Sequence, residues 1–190
     1  MKITLISGSV AKKSHTQALL LYLESLLREN KIESVFWELK TRPLPVLMPE
    51  FHSNPIDTPN DSVKEFVRLV DSSDGIILGT PLYHGSYSGV LKNALDNLGS
   101  DSFRNKAIGL VGNGSTVRSP QALEHLRSVV RTLYGYPTQT QVATMKADYK
   151  EEEEKYVLTD KDIKERCQRL VKELINLTKL YKEDPPNKKG

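Results

Sequence analysis

Residues 80–98, TPLYHGSYSGVLKNALDNL, connect a buried strand to a helix through a loop rich in aromatic and glycine residues. The preceding run, GIILGT at residues 75–80, is almost wholly apolar and predicts a parallel strand that is covered on both faces. Pro81 lacks the N–H that a strand ladder needs, so we expect the strand to end there. From Gly89 onward the apolar side chains recur at helical spacing, which predicts a helix that ends near Gly99. A strand, an exposed loop and a helix in this order are typical of a ligand site in an open α/β sheet.

The same alternation of strand and helix recurs along the chain. Apolar runs predict five strands, at residues 2–7, 34–39, 75–80, 106–113 and 138–144. Helical periodicity predicts helices at residues 15–29, from a cap at Asn60 or Asp61, from Gly89, at residues 119–134 and after Thr159. This order predicts an α/β fold, a flavodoxin-like doubly wound five-stranded parallel sheet with strand order 2-1-3-4-5 and helices on both faces.

Several segments carry their own local signals. Ser119 followed by Pro120 predicts a capped helix start, and Thr159 with Asp162 matches a capping box. Residues 40–59 contain five prolines, which predicts an irregular loop. The loop is longer than a simple connection between two elements requires, which is typical of a functional loop. The acidic run at residues 151–154 is interpreted as a solvated excursion.

Composition restricts the class of protein. With 190 residues, 38% hydrophobic residues and 27% charged residues, the chain is expected to form a single domain at residues 1–182, followed by a disordered tail at residues 183–190. The net charge of +3 resembles neither a nucleic-acid binder with a basic stripe nor an acidic electron carrier. No run of 18 apolar residues is present, so no membrane segment is expected.

The cysteine and histidine content argues against disulfides and metal sites. Cys167 is the only cysteine, so it cannot form an internal disulfide or build a zinc site with another thiol. This usage favours a reducing compartment, and we expect a cytoplasmic protein. His15, His52 and His125 have no metal-ligand spacing with one another, so no metal site is predicted.

The loop after the first strand, SGSVAKKSHTQ at residues 7–17, is suited to an anion. Hydroxyls of Ser9, Ser14 and Thr16 stand among amide donors at a helix start, where the helix dipole favours a phosphate. The loop lacks the glycine patterns of dinucleotide folds and nucleotide triphosphatases. In the predicted strand order this loop and the TPLYHG loop flank the same crevice. The alternative is that Ser14 only caps the helix.

Two motifs identify a family resemblance that covers roughly the first 145 residues. The first is a GSxRxxS-type loop, matched by Gly8, Ser9, Ser14 and Thr16. The second is a PxYNxSxxGxLKNAxDxL-type segment, matched by Pro81, Tyr83, Ser86, Gly89, Leu91, Lys92, Asn93, Ala94, Asp96 and Leu98. On these residues the chain resembles the NAD(P)H-dependent FMN reductase family, which includes azobenzene, quinone and chromate reductases.

The resemblance implies a bound FMN that takes hydride from NADPH or NADH and passes it to a small-molecule acceptor, by a ping-pong mechanism. The acceptor would be free flavin, a quinone, an azo compound or a metal oxyanion, and the chain would form a homodimer or homotetramer. The resemblance assigns the phosphate to Ser9, Ser14, His15 and Thr16. It assigns the flavin ring to Pro81, Leu82, Tyr83, His84 and Gly85, and the far side of the ring to Gly112, Asn113, Gly114 and Ser115.

Two positions depart from the family pattern. Ala11 stands where the family commonly has Arg, so Lys12 or Lys13 is expected to supply the charge. His84 stands where Asn is usual, and it is the one candidate proton donor, the alternative being a loop histidine that only hydrogen-bonds backbone. No side chain is assigned as a catalytic acid or base. A non-enzymatic electron carrier of the flavodoxin type and a flavin-binding regulatory module remain alternatives to the reductase.

Overall fold

The computed structural model describes residues 1–186 and contains the predicted parallel sheet. Its strands lie in the order β2-β1-β3-β4-β5, and every neighbouring pair is parallel. The strands are β1 (Lys2–Ser7), β2 (Glu33–Glu38), β3 (Gly75–Pro81), β4 (Ala107–Asn113) and β5 (Tyr136–Thr144). The predicted strand order is confirmed, and the order reverses between β1 and β3.

Helices cover both faces of the sheet, as predicted. They are α1 (His15–Glu29), α2 (Asp61–Asp71), α3 (Gly89–Asp96), α4 (Gln121–Thr132) and α5 (Lys161–Glu183). The apolar sides of α1 and α5 form one core with one face of the sheet, and those of α2, α3 and α4 form a second core on the other face. Residues 187–190, the end of the tail predicted from residue 183, lie outside the described residues.

Two predicted helix starts are wrong by one residue. Pro120, not Ser119, is the N-cap of α4, and the Ser119 hydroxyl makes only a 3.4 Å contact with the first amide of the helix. Asp160, not Thr159, caps α5 by accepting a 2.9 Å hydrogen bond from the third amide of the helix. The Thr159 hydroxyl instead donates to the carbonyl of Asp148 at 3.2 Å.

The fifth strand begins earlier than predicted. The amide of Tyr136 donates to the carbonyl of Lys106 at 2.9 Å, which starts the pairing with β4 two residues before Thr138. Pro137 is tolerated within β5 because this strand lies at the edge of the sheet, where a missing N–H leaves no neighbour unpaired. The register of β5 shifts between Ile108 and Leu110 of β4, so a bulge follows this start.

Short elements of regular structure form in the proline-rich segment and around the acidic run. Within residues 40–59, single 3₁₀ turns form at Pro49–Phe51 and Pro55–Asp57. The acidic run lies at the tip of a hairpin made by β6 (Tyr149–Glu151) and β7 (Tyr156–Leu158), and its side chains are exposed. The hairpin packs against α1 through β7, while the charged side chains of the run face solvent, as interpreted from the sequence.

Asp74 joins the two ends of the described chain at the amino edge of the sheet. Its carboxylate accepts the amide of Lys2 at 2.7 Å and lies 3.9 Å from the terminal ammonium of Met1. Lys182, in the last turn of α5, reaches the same carboxylate at 2.9 Å. Desolvation opposes the charge, but these partners hold the pKa of Asp74 below its usual value.

Candidate active site

A cleft of about 200 Å³ opens at the carboxyl edge of the sheet, where the ends of β1, β3 and β4 meet. Three predicted loops contribute to it, as expected for the point where strand order reverses. Its lining comprises Ser9, Ala11, Lys13, Ser14, His15, Thr16, Pro81, Leu82, Tyr83, Asn113, Ser115 and Lys146. Four predicted site residues do not line it, namely His84, Gly85, Gly112 and Gly114.

Gly8 and Ser88 fasten the first loop to the start of α3. The amide of Gly8 donates to the carbonyl of Gly79 at 2.8 Å, and the Ser88 hydroxyl donates to the carbonyl of Gly8 at 2.6 Å. The same hydroxyl accepts the amide of Leu91 at 3.3 Å and so caps α3. A Cβ at Gly8 would lie 2.8 Å from the Leu91 Cβ and 2.9 Å from the Ser88 Oγ, which explains why glycine is required here.

Unpaired donors gather at the start of α1. The amides of residues 12–16 have no hydrogen-bond acceptor within residues 1–186. The Ser14 Oγ accepts the amide of Gln17 at 3.1 Å, which leaves its hydroxyl hydrogen for a further acceptor. Thr16 is only 2% exposed and lines the cleft, and its hydroxyl makes no hydrogen bond in the described part of the chain. Unpaired amides, hydroxyls and the helix dipole together suit a phosphate.

Lys13 does not present a free charge to the cleft. Its ammonium binds the Glu151 carboxylate at 2.6 Å and the carbonyl of Glu152 at 3.1 Å. The hydrogen bond to Glu151 raises the pKa of Lys13 and lowers that of Glu151. Lys12 does not line the cleft, so neither lysine that the sequence suggested as a substitute for arginine stands there unpaired.

Lys146 is a basic residue of the cleft that the sequence analysis missed. It follows the end of β5, its side chain is exposed, and its amide donates to the carbonyl of Ser115 at 3.0 Å. Its ammonium has no hydrogen-bond or ion-pair partner among residues 1–186. Its place directly after a strand, at the edge where the other loops meet, was the available signal.

His15 enters the cleft as part of an aromatic stack. Its ring lies parallel to that of Tyr156, with centroids 3.7 Å apart, and edge-on to Tyr149 at 4.9 Å. Its Nε2 is buried with no hydrogen-bond partner among the described residues. Burial, and secondly the charge of Lys146, lower the pKa of His15, with Glu151 opposing them. The neutral imidazole is therefore favoured, and its assigned role at the phosphate stays a prediction.

The TPLYHG loop closes in a tight two-residue turn. Tyr83 and Ser86 exchange backbone hydrogen bonds of 2.8 and 3.0 Å across it. His84 and Gly85 both have positive φ, 48° and 80°, as in a type I′ turn. Asn and His are among the residues that best tolerate this region, so the backbone accepts either at position 84. The His84 side chain is exposed and does not line the cleft.

The loop after β4 is fixed from both sides. The carbonyl of Asn113 accepts the amide of Leu82 at 2.8 Å, and the amide of Gly114 donates to the carbonyl of Thr144 at 2.8 Å. A Cβ at Gly114 would lie 2.3 Å from the carbonyl oxygen of Val117. Gly114 thus permits the sharp turn that carries Asn113 past the cleft.

Arg118 holds the turn that carries Lys146. Its guanidinium donates three hydrogen bonds to the carboxylate of Asp148, at 3.1, 3.0 and 2.5 Å, and one to Asp160 at 2.7 Å. Asp148 is 1% exposed and also accepts the amide of Met145 at 2.9 Å. This network ties three segments together, and the residues flanking Lys146 are thereby fixed.

The proline-rich segment at residues 40–59, which the sequence predicted as a long irregular loop, does not line this cleft. Asn93 of α3 accepts the amide of Leu47 at 3.0 Å and donates to the carbonyl of Pro45 at 2.9 Å. The segment borders a separate hollow of about 230 Å³, together with Met48 and Phe51. This anchoring explains why the motif carries Asn at position 93.

Two features, a metal-ligand cluster and a transmembrane helix, are absent from residues 1–186. No group of three or more His, Cys, Asp or Glu side chains in that range is placed to hold a metal ion. No helix in the same range combines the length and the apolar character needed to cross a membrane.

Comparison with known proteins yields consistent matches. The sequence profile of the NADPH-dependent FMN reductase family matches residues 1–148. An FMN-dependent NADPH-azoreductase of Staphylococcus aureus is 39% identical over 177 residues, covering 93% of this chain and 94% of that protein.

Two solved structures with different printed descriptions are similar to this chain in fold. A flavoenzyme NAD(P)H:(acceptor) oxidoreductase from Paracoccus denitrificans superposes with a TM-score of 0.67 at 18% identity, covering 94% of this chain and 97% of that one. A flavodoxin of Streptococcus pneumoniae superposes with a TM-score of 0.58 at 14% identity, covering 92% and 97%. At these identities the two structures bear on the fold alone.

Proposed function

Because the chain belongs to the NADPH-dependent FMN reductase family, we propose that it is an FMN-dependent oxidoreductase that uses NADPH or NADH to reduce a small-molecule acceptor. One observation carries the proposal. The unpaired amides and hydroxyls at the start of α1 lie in the same cleft as the loop at Pro81, so a phosphate and an attached ring system could be held together.

The residues of the cleft form two groups, according to the part of FMN that each would contact. The amides of residues 13–16, with the hydroxyls of Ser14 and Thr16, would bind the FMN phosphate. Pro81, Leu82 and Tyr83 would lie along the flavin ring, and Asn113 and Ser115 would border it from the loop after β4. When bound, the flavin supplies the hydride chemistry that no amino-acid side chain provides. The part of the protein is to orient the ring and to limit the access of water.

An azo compound is the acceptor that we favour, since the Staphylococcus aureus relative is named as an azoreductase. Quinones, free flavin and metal oxyanions are the other candidates. We propose a ping-pong order because NADPH or NADH and the acceptor would each have to reach the same flavin ring, so they would occupy the space over it in turn.

Three measurements on the purified protein test this function. The spectrum should show one FMN per chain, anaerobic NADPH or NADH should bleach it, and an azo dye should restore it. Initial rates at several concentrations of both substrates should give parallel double-reciprocal lines. Absence of flavin binding at saturating FMN would overturn the proposal, and bleaching by a partner protein but not by a nicotinamide would favour the electron carrier. The matched variant Thr16→Val removes one hydroxyl at nearly constant shape and should weaken FMN binding.

The cofactor site would lie near an interface between subunits if the chain forms the proposed homodimer or homotetramer. Support comes from large apolar side chains that remain exposed in loops and in the first turn of α3, namely Val10, Val46, Tyr83, Val90 and Val117. Val46 is the most exposed of these side chains, at 81%, so a charge placed there would disrupt an apolar contact between subunits. Sedimentation equilibrium of the wild type and of Val46→Asp tests the assembly, and an unchanged monomer mass for both would contradict it.

We propose a reducing cytosol as the working compartment. The thiol of Cys167 is buried and unpaired, and burial raises its pKa to about 12, so it is a poor nucleophile. Such a thiol supports a compartment where no disulfide is required. Cell fractionation with an antibody tests the location.

A further inference from the structure

We propose that Lys146 supplies the positive charge that binds the phosphate of FMN, in place of the arginine that Ala11 replaces. This proposal rests on the proposed function and adds a binding residue to the same site. Lys146 lines the cleft together with Ser14 and Thr16, and it comes from a different part of the chain than the loop that carries them.

The other basic groups near the start of α1 are not available. Ala11 has no charge, and Lys12 does not line the cleft. Lys13 is held by the carboxylate of Glu151 and by the carbonyl of Glu152, so its charge is already paired and only one of its three N–H donors is unused. A phosphate dianion at the helix start would therefore lack a cation unless another segment provided one.

Lys146 meets this need without breaking any contact. Its ammonium has no partner among residues 1–186, whereas its backbone is fixed by the 3.0 Å hydrogen bond to Ser115 and by the Arg118–Asp148 pair beside it. A flexible side chain on a fixed backbone position can adjust its charged end to a ligand. The charge of Lys146 also acts on His15, the first residue of α1, so the ammonium lies within electrostatic range of the proposed phosphate position.

The ligand chemistry is a phosphomonoester dianion, which two molecules could supply. One is the phosphate of FMN, and the other is the 2′-phosphate that distinguishes NADPH from NADH. We assign FMN because Lys146 shares its cleft with the unpaired amides and hydroxyls that a phosphate would bind.

The test compares FMN with riboflavin, which lacks the phosphate. Flavin fluorescence titrations of the apoprotein give the dissociation constants for wild type, Lys146→Gln, Lys146→Arg and the control Lys150→Gln, an exposed lysine outside the cleft. Loss of one exposed charge contact should weaken FMN binding by about five- to tenfold. Riboflavin binding should stay within about twofold, and Lys146→Arg should retain FMN affinity. Circular dichroism confirms that each variant is folded.

A rescue experiment makes the assignment sharper. Ala11→Arg in the Lys146→Gln background should restore FMN affinity, and Glu151→Gln in that background should restore part of it by freeing Lys13. The proposal is overturned if Lys146→Gln leaves FMN affinity unchanged or weakens riboflavin equally. It is also overturned if the variant only raises the KM for NADPH over NADH, which would assign Lys146 to the 2′-phosphate. A wild type that binds no flavin would instead refute the proposed function.

Discussion

Ser88→Ala should destabilise the apoprotein more than the loss of an ordinary helix cap. Its hydroxyl both caps α3 and donates to the carbonyl of Gly8, and Ser88 is only 2% exposed. Loss of the cap costs about 1 kcal/mol, and a buried carbonyl left without a donor costs about 1–3 kcal/mol. The free energy of unfolding should therefore fall by about 3 kcal/mol, which for a chain of this size lowers the melting temperature by about 6–12 °C.

Ser14→Ala is the matched control, since Ser14 caps α1 with one hydrogen bond and donates to no other group in the described chain. Its cost in the apoprotein should be about 1 kcal/mol. Urea unfolding followed by circular dichroism measures both variants under the same conditions. If Ser88→Ala costs no more than Ser14→Ala, the hydrogen bond to Gly8 does not join the two loops energetically, and the account of how the cleft is assembled is wrong.

Three further predictions concern the ligand and protons. Ser14→Ala should weaken the affinity for FMN by about 10- to 100-fold, because a hydrogen bond to a charged group contributes roughly 1.5–3 kcal/mol. Fluorescence titration measures this affinity. An unchanged affinity would show that Ser14 acts only as the cap of α1. Burial lowers the pKa of His15 in the folded state, so the unfolded chain binds this proton more tightly and the stability from the neutral imidazole is lost as pH falls below about 6.5. Melting temperatures of the apoprotein should thus fall less steeply with acid in His15→Phe than in the wild type, and parallel curves would refute this. His84→Asn should leave the pH profile of flavin reduction unchanged in stopped-flow experiments, because His84 does not line the cleft; a difference between about pH 5.5 and 7.5 would show that the imidazole acts on the flavin.

Local patterns in the sequence were sufficient to predict the five strands of the sheet and their order. The apolar run at residues 75–80 has no polar face, so it fits only a central strand, and β3 lies between β1 and β4. The two motif loops then had to meet at the carboxyl edge, and nine of the predicted site residues do line the cleft: Ser9, Ser14, His15, Thr16, Pro81, Leu82, Tyr83, Asn113 and Ser115.

Contacts between distant side chains could not be predicted in the same way. Lys13 and Glu151 are 138 residues apart, and no periodicity links them. The acidic run looked like a solvated excursion because its charges face water, but Tyr149 and Tyr156 on either side of it pack against His15. The pairing of Lys13 follows from this hairpin, which the sequence does not reveal, so Lys12 or Lys13 was expected to supply the charge and Lys146 was missed.

The contacts of Asp74 have a practical consequence for fusing the protein to a tag or immobilising it on a support. Both Met1 and Lys182 reach that carboxylate at the amino edge of the sheet, whereas the cleft opens at the carboxyl edge. A tag, a fused domain or a solid support joined at Met1 would therefore stand on the side away from the cleft. An immobilised preparation tethered through Met1 should keep its flavin site open to dyes in the surrounding solution.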